Sequence, residues 1–279
     1  MKVERIDLYA HFNIKRPEGG AGYLNTYVLD SIYEKRIRPA MLVIAGGGYR
    51  YVSDREKEPI ALKYLEQGYN AFTLEYSVAP VTFPASLIEA CMSMIYIREN
   101  AEELQIDKDH IAAIGFSAGG HLLGSLSTMY NINEVVSVLG KERAELARPD
   151  ASVFSYPVIT AFDHPHIGSF INLTGGKEEM YESLCIEKRI NKSSPPAFIW
   201  TTVNDNAVPS ENTIDLAIAY KKAGVPFELH MFEDGLHGLA VCTMETGYEQ
   251  KCVQEWIKLS INWLSARGFV VVDDPSVPK

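Results

Sequence analysis

The 279-residue sequence predicts an α/β fold: a mostly parallel central sheet with helices on both faces. Two observations carry that prediction. Short, wholly apolar runs alternate with segments whose apolar residues recur at helical spacing, the pattern of parallel strands joined by right-handed crossovers. Glycine-rich turns also stand where two of those runs end: Gly46-Gly47-Gly48 follows 41–45, and Gly115-Phe116-Ser117-Ala118-Gly119 closes the run that starts at Ile111. In open sheets of this kind, chemistry gathers at the carboxyl ends of the strands.

Taken in order, residues 2–10 and 22–30 read as opening strands, an antiparallel pair. The strand at 41–45 runs into the glycine turn. A helix starts at Pro59 and ends at Gln67, with Gly68 in the position that favours a left-handed residue after a helix. Residues 70–75 form the next strand. Pro84 opens a long helix in which Leu87, Ile88, Cys91, Met94 and Ile95 make one apolar stripe. After the strand at 111–116 comes a helix over 121–129, then strands at 151–156 and 197–203. The helix at 211–223 places Ile214, Ala217 and Ile218 on one face; Lys221 and Lys222 suit its negative end, and Gly224 with Pro226 stops it. Residues 226–232 form the last strand. The closing helix, 250–266, aligns Val253, Trp256, Ile257, Ser260 and Leu264. Residues 273–279 read as a loose tail. One segment, 158–196, breaks the alternation, and a loop this long in a compact domain is more often functional than idle. The whole chain, 1–279, is expected to form one domain.

Three far-apart segments share a chemistry. Ser117 lies in a G-x-S-x-G turn between a buried strand and a helix, where a tight bend pushes the hydroxyl out. Asp205 follows the strand at 197–203, and His237 follows the one at 226–232. A serine hydroxyl is a poor nucleophile near neutral pH, so an imidazole must take its proton and a carboxylate must hold the imidazole. Ser117, Asp205 and His237 stand in the chain order of such a triad. Asp163 and Asp234 are rival acids, but Asp234 is too near His237 in sequence to hold it from the neighbouring strand end. The amides of Gly47 and Gly48, with that of Ala118, suit an oxyanion site. A plain turn or a phosphate loop is the other reading of the three glycines, although the Walker lysine and the Rossmann spacing are both missing.

With these residues in view, the chain resembles the α/β-hydrolase superfamily, and within it bacterial carboxylesterases related to hormone-sensitive lipase and to acetyl-xylan-esterase-like enzymes. The resemblance runs from about residue 40 to 266, and it implies that the excursion at 158–196, between the sixth and seventh strands, is a small lid over the site. It rests on Gly46-Gly47-Gly48-Tyr49, Tyr76-Ser77-Val78-Ala79-Pro80, Phe83-Pro84-Ala85, Gly115 to His121, Asp205 with Val208-Pro209, and His237-Gly238. It implies a serine carboxylesterase that needs no cofactor or metal and acts on short acyl esters of small neutral alcohols or sugars, acetylated sugars included. There is one departure: Ala45 stands where many relatives carry a histidine that supports the glycine loop. A prolyl-oligopeptidase-type peptidase shares the triad order but usually carries a propeller ahead of it, and only about forty residues precede the loop here. A hydrolase-fold binding protein is the third reading, and such proteins normally lose a triad member.

Composition narrows the partners. A net charge of −10 argues against nucleic acid, anionic membranes and polyanionic substrates. No apolar stretch is long enough to span a bilayer, and residues 1–5 lack the apolar core of a signal peptide, so a cytoplasmic location is expected. The cysteines, Cys91, Cys185, Cys242 and Cys252, have no framework spacing and read as reduced thiols. An exposed edge strand offers a surface for homodimer pairing. His121 reads as a packing histidine. His164-Pro165-His166 reads as a loop and not a metal site, since the two rings cannot share a helix face. Tyr49, Tyr51, Tyr76 and Tyr156 read as packing residues or as faces for a sugar ring.

Overall fold

The computed structural model describes residues 1–30 and 36–273. The chain opens with β1 (Lys2–Asp7), α1 (Leu8–Phe12), β2 (Tyr23–Val28), β3 (Arg36–Ile44), α2 (Glu58–Glu66) and β4 (Asn70–Glu75). It continues through α3 (Ala85–Glu99), β5 (Ile106–Phe116), α4 (Ala118–Met129), α5 (Asn133–Leu139), α6 (Lys141–Glu145) and β6 (Ala151–Ser155). Then come α7 (Ile167–Thr174), α8 (Tyr181–Leu184), β7 (Ala197–Thr202), α9 (Glu211–Ala223), β8 (Phe227–Phe232), α10 (Lys251–Ser265) and β9 (Val272–Asp273).

Among the described residues the sheet order is β1-β2-β4-β3-β5-β6-β7-β8, with β9 pairing against the start of β3. Strands β1 and β2 join antiparallel, and β2 meets β4 antiparallel; every pairing from β4 through β8 is parallel. This is an open α/β-hydrolase sheet. Side chains alternate faces along each strand. Leu42 and Ile44 face one core layer with α3, α4 and α9, whereas Met41 and Val43 face the other with α2 and α10. Burial on both sides is why these strands read as unbroken apolar runs.

Four readings of the sequence need correction. Residues 8–10 are helical, not strand, because the Asp7 side chain accepts the Ala10 N–H and starts α1. Helix α3 buries every residue from Ser86 to Ile97 instead of one stripe, since α1, α5 and α6 cover its outer side. Helices α5 and α6 and strand β9 had no clear signal. In α9 the inward face holds Leu216, Ala217 and Tyr220, while Ile214 and Ile218 are exposed at 38% and 44%. The turn of that helix is set by a polar residue: buried Asn212 accepts the N–H groups of Ile159 and Thr160 and donates to the carbonyls of His164 and Pro209. Of the expected tail, Asp273 closes β9 opposite Arg36, and 274–279 lie outside the described residues.

The segment 158–196 leaves the sheet between β6 and β7 and holds α7, α8 and two short turns of 3₁₀ helix. It is fastened to α4. The Ile186 side chain packs where Gly124 has no Cβ, and the ring of His121 meets the Leu184 carbonyl.

Candidate active site

Loops after β3, β5, β7 and β8 converge on one rim of the sheet. The turn after β5 is the tightest. Ser117 has φ 52° and ψ −121°, a conformation that costs a non-glycine residue free energy and occurs where surrounding structure enforces it. Two close approaches enforce it here. A Cβ at Gly115 would overlap the Gly119 carbonyl, and one at Gly119 would overlap the carbonyls of Ile44 and Ala45. The Ser117 backbone is fixed further: its N–H donates to the Ser155 carbonyl, and its own carbonyl accepts from Gly120, His121 and Val158.

Ser117 Oγ lies 2.8 Å from His237 Nε2, and His237 Nδ1 lies 2.7 Å from Asp205 Oδ2. The other carboxylate oxygen, Oδ1, accepts the N–H groups of Ala207 and Val208 at 2.9 Å each, and the Asp205 side chain is 1% exposed. A carboxylate offers only acceptors, so Nδ1 carries the hydrogen and Nε2 is left to accept from the serine. The ring of His237 also rests edge-on against Tyr156, centroids 4.9 Å apart. Asp234 does not reach the imidazole; it accepts from Asn204 and Gln250. Asp163 is exposed on the loop ahead of α7.

The glycine loop after β3 lies against the serine. Gly46 N–H donates to Glu56 Oε2 at 2.8 Å, and the Ala45 carbonyl accepts the Tyr76 hydroxyl at 2.8 Å. Asn172 of α7 donates to the Gly48 carbonyl at 2.8 Å. Three side chains, Glu56, Tyr76 and Asn172, therefore brace the loop from Ala45 to Gly48. No acceptor among the described residues takes the N–H of Gly47, Gly48 or Ala118. Gly47 and Gly48 line the same cavity as Ser117, and Ala118 is the residue after it.

A cavity of about 380 Å³ opens over Ser117, lined by Gly47, Gly48, Tyr51, His166, Asn172 and His237 among others. His166 of the His-Pro-His loop holds Ser169 Oγ at 2.9 Å through Nδ1. Burial first, and then the nearby His237, lower its pKa. His121 lies outside the cavity, bonded at 2.8 Å to Tyr49 and to the Leu184 carbonyl, and burial drops its pKa to about 4. Of the four tyrosines, Tyr49, Tyr76 and Tyr156 are packing residues, buried with their hydroxyls bonded; Tyr51 is 57% exposed and lines the cavity. Among the described residues no group of three or more His, Cys, Asp or Glu is arranged to hold a metal ion. All four cysteines are free.

Sequence reasoning missed Glu56, His166 and Asn172. Glu56 sits in the charged run Asp54-Arg55-Glu56-Lys57-Glu58, which has every mark of a solvated turn, yet it is 2% exposed.

The family model BD-FAE matches residues 28–220, well over half of the chain, and that of the Dienelactone hydrolase family matches 183–267. The chain belongs to the BD-FAE family. Within the α/β-hydrolase carboxylesterases, this BD-FAE member is 36% identical over 216 residues to endo-1,4-beta-xylanase B of Butyrivibrio fibrisolvens, covering 75% of this chain and 33% of that protein. It is 28% identical over 234 residues to the acetylxylan esterase of Xylanibacter ruminicola, covering 78% of this chain and 45% of the relative. The chain thus spans between a third and a half of the length of these curated relatives. The solved acetyl ester-xyloside bifunctional hydrolase from Caldicellulosiruptor lactoaceticus shares 36% identity and a TM-score of 0.77, covering 89% of each chain. No helix of the described residues in this BD-FAE chain is long and apolar enough to cross a membrane.

Proposed function

We propose that this chain is a serine carboxylester hydrolase that removes short acyl groups, acetyl foremost, from a sugar or other small neutral alcohol. One observation carries the reading: the hydrogen-bonded row from Ser117 through His237 to Asp205, at 2.8 and 2.7 Å. Ser117 Oγ attacks the ester carbonyl as His237 Nε2 takes its proton. The carbonyl oxygen becomes an oxyanion, to which the N–H groups of Gly47, Gly48 and Ala118 donate. Asp205 holds the tautomer and steadies the imidazolium. Collapse breaks the bond to the leaving alcohol, which receives the proton from His237. Water, deprotonated by the same imidazole, then releases the acid and restores Ser117.

A single α/β domain carries the site in this reading, and the segment 158–196 acts as its lid through His166 and Asn172. A cavity of about 380 Å³ lies near the lower end of small-molecule sites and suits a short acyl chain better than a long one. Tyr51, exposed at the cavity wall, offers an aromatic face that supports a sugar as the alcohol. Acetyl-ester and xylan chemistry in the names of the relatives points to the same substrates. Free cysteines fit a reducing, cytoplasmic setting. The reading is tested with nitrophenyl acetate, butyrate and octanoate and with acetylated xylose, using Ser117→Ala as control. Acetate is expected to turn over fastest and Ser117→Ala to be inert. Faster octanoate hydrolysis removes the short-acyl assignment; an active Ser117→Ala removes the mechanism.

A further inference from the structure

The Glu56 carboxylate has no role in the proposed chemistry, yet it is 2% exposed and lies between two catalytic loops. Oε2 accepts the Gly46 N–H at 2.8 Å, and Oε1 accepts the Tyr156 hydroxyl at 2.7 Å. Tyr156 Oη in turn accepts the Ala240 N–H at 3.0 Å, three residues past His237, and the tyrosine ring lies against the imidazole. A continuous path thus runs from the glycine loop after β3 to the histidine loop after β8. It passes close to the nucleophile, because a Cβ at Gly46 would lie 2.9 Å from both Glu56 Oε2 and Ser117 Cβ.

No cation among the described residues pairs with this carboxylate. Burial of an unpaired carboxylate is expensive, and packing alone is served better by an apolar side chain. What a carboxylate adds is two acceptors at a fixed spread with no hydrogen of its own. A glutamine keeps one acceptor but turns an N–H₂ toward Tyr156, whose oxygen already accepts from Ala240. The tyrosine hydrogen then has no acceptor. Aspartate is one methylene too short to span both partners.

Resting on the esterase reading above, we propose that Glu56 is a positioning residue for the reaction. It anchors Gly46 so that the next two amides stay free for the oxyanion, and it ties that loop to the His237 loop through Tyr156. Both halves of the machinery are thereby held at one separation. The loss is expected in the transition state and not in substrate binding.

The test compares Glu56→Gln, Glu56→Asp and Tyr156→Phe with the unaltered chain on nitrophenyl acetate. Active sites are titrated with a fluorophosphonate, so that kcat refers to folded, competent molecules only. Glu56→Gln is expected to lower kcat per site by about 10²-fold, comparable to losing one oxyanion donor, with KM within about threefold. Glu56→Asp does no better. Tyr156→Phe keeps the Gly46 anchor and loses the second arm, so kcat falls by roughly tenfold, and the double variant loses less than the product of the two. A Glu56 with only a structural role leaves kcat per titrated site unchanged and lowers the melting temperature. That outcome, or a Tyr156→Phe within twofold of the unaltered chain, overturns the proposal, and the tyrosine variant decides if Glu56→Gln does not fold. Ser117→Ala separates the two ideas: if it hydrolyses the ester, the serine mechanism on which the role of Glu56 rests fails, whereas an inert Ser117→Ala with an unimpaired Glu56→Gln removes only the role of Glu56.

Discussion

Asp205 offers one oxygen to the imidazole and the other to two backbone amides, so its removal acts on orientation as well as charge. Asp205→Asn is expected to cut kcat by about 10⁴-fold, because the amide favours the wrong imidazole tautomer. Asp234→Asn, which alters an exposed carboxylate away from the ring, leaves kcat near its original value; steady-state hydrolysis of nitrophenyl acetate distinguishes them. His121 makes a pH prediction. Its pKa falls from 6.5 to about 4 on folding, through burial, so the unfolded chain takes up the proton first. The stability it contributes is complete above about pH 6.5 and declines as pH drops toward 4, by up to about 1.4 kcal/mol per unit. His121→Asn is therefore less stable at pH 7.5 but shows a flatter melting temperature between pH 6.5 and 4.5. A parallel decline in both proteins assigns the acid sensitivity elsewhere. Residues of this kind differ in how readable they are. Ser117 and Asp205 follow strands with strong apolar signals, His237 follows one in which Glu228 and His230 alternate with apolar residues, and their chain order suggests the chemistry. Glu56 and His166 are brought in by turns whose composition looks like that of any solvated loop, so only tertiary folding reveals them.

At the level of elements, the elbow after β5 leaves no room for added atoms. Gly119→Ala is expected to lower stability by about 1–3 kcal/mol, since the new methyl must displace the carbonyls of Ile44 and Ala45. A shift in urea midpoint measures it, and a variant as stable as the original shows that the turn gives way. Among the described residues, helix α7 reaches the glycine loop through one side-chain hydrogen bond, Asn172 to the Gly48 carbonyl. Its loss in Asn172→Ala is expected to lower kcat/KM about three- to tenfold, the range of one ordinary hydrogen bond. Helices also show where periodicity suffices. In α10 the expected stripe of Val253, Trp256, Ile257, Ser260 and Leu264 is the buried one, because one face meets the sheet and the other meets water. In α9 a buried asparagine rotates the inward face away from Ile214 and Ile218. In α3 neighbours wrap the whole circumference, and amphipathic spacing has nothing to report.

The molecule as a whole converges on α10. Trp256 is fully buried, stacks on Trp200 with centroids 4.9 Å apart, meets Phe116 edge-on beside the serine, and donates to the Ala240 carbonyl at 3.0 Å. One ring thereby supports the strand that ends before Ser117 and the loop that carries His237 together. Trp256→Ala is expected to cost about 3–5 kcal/mol by denaturant titration; a loss below 1 kcal/mol contradicts this account. The fold class, the parallel order and the rim that gathers the site were legible because repeated strand and helix patterns average out local error. The links between layers were not, since they join side chains far apart in the chain, such as Glu56 to Tyr156 and Asn172 to Gly48. The left-handed backbone at Ser117 has a consequence for the entire chain. Glycine relaxes there at no steric penalty, whereas serine holds a posture worth about 1–3 kcal/mol against folding. An inert Ser117→Gly protein should then outlast the working one on heating. Thermal endurance by itself favours the smaller residue at this corner, and the proposed turnover supplies a reason for a hydroxyl to occupy it.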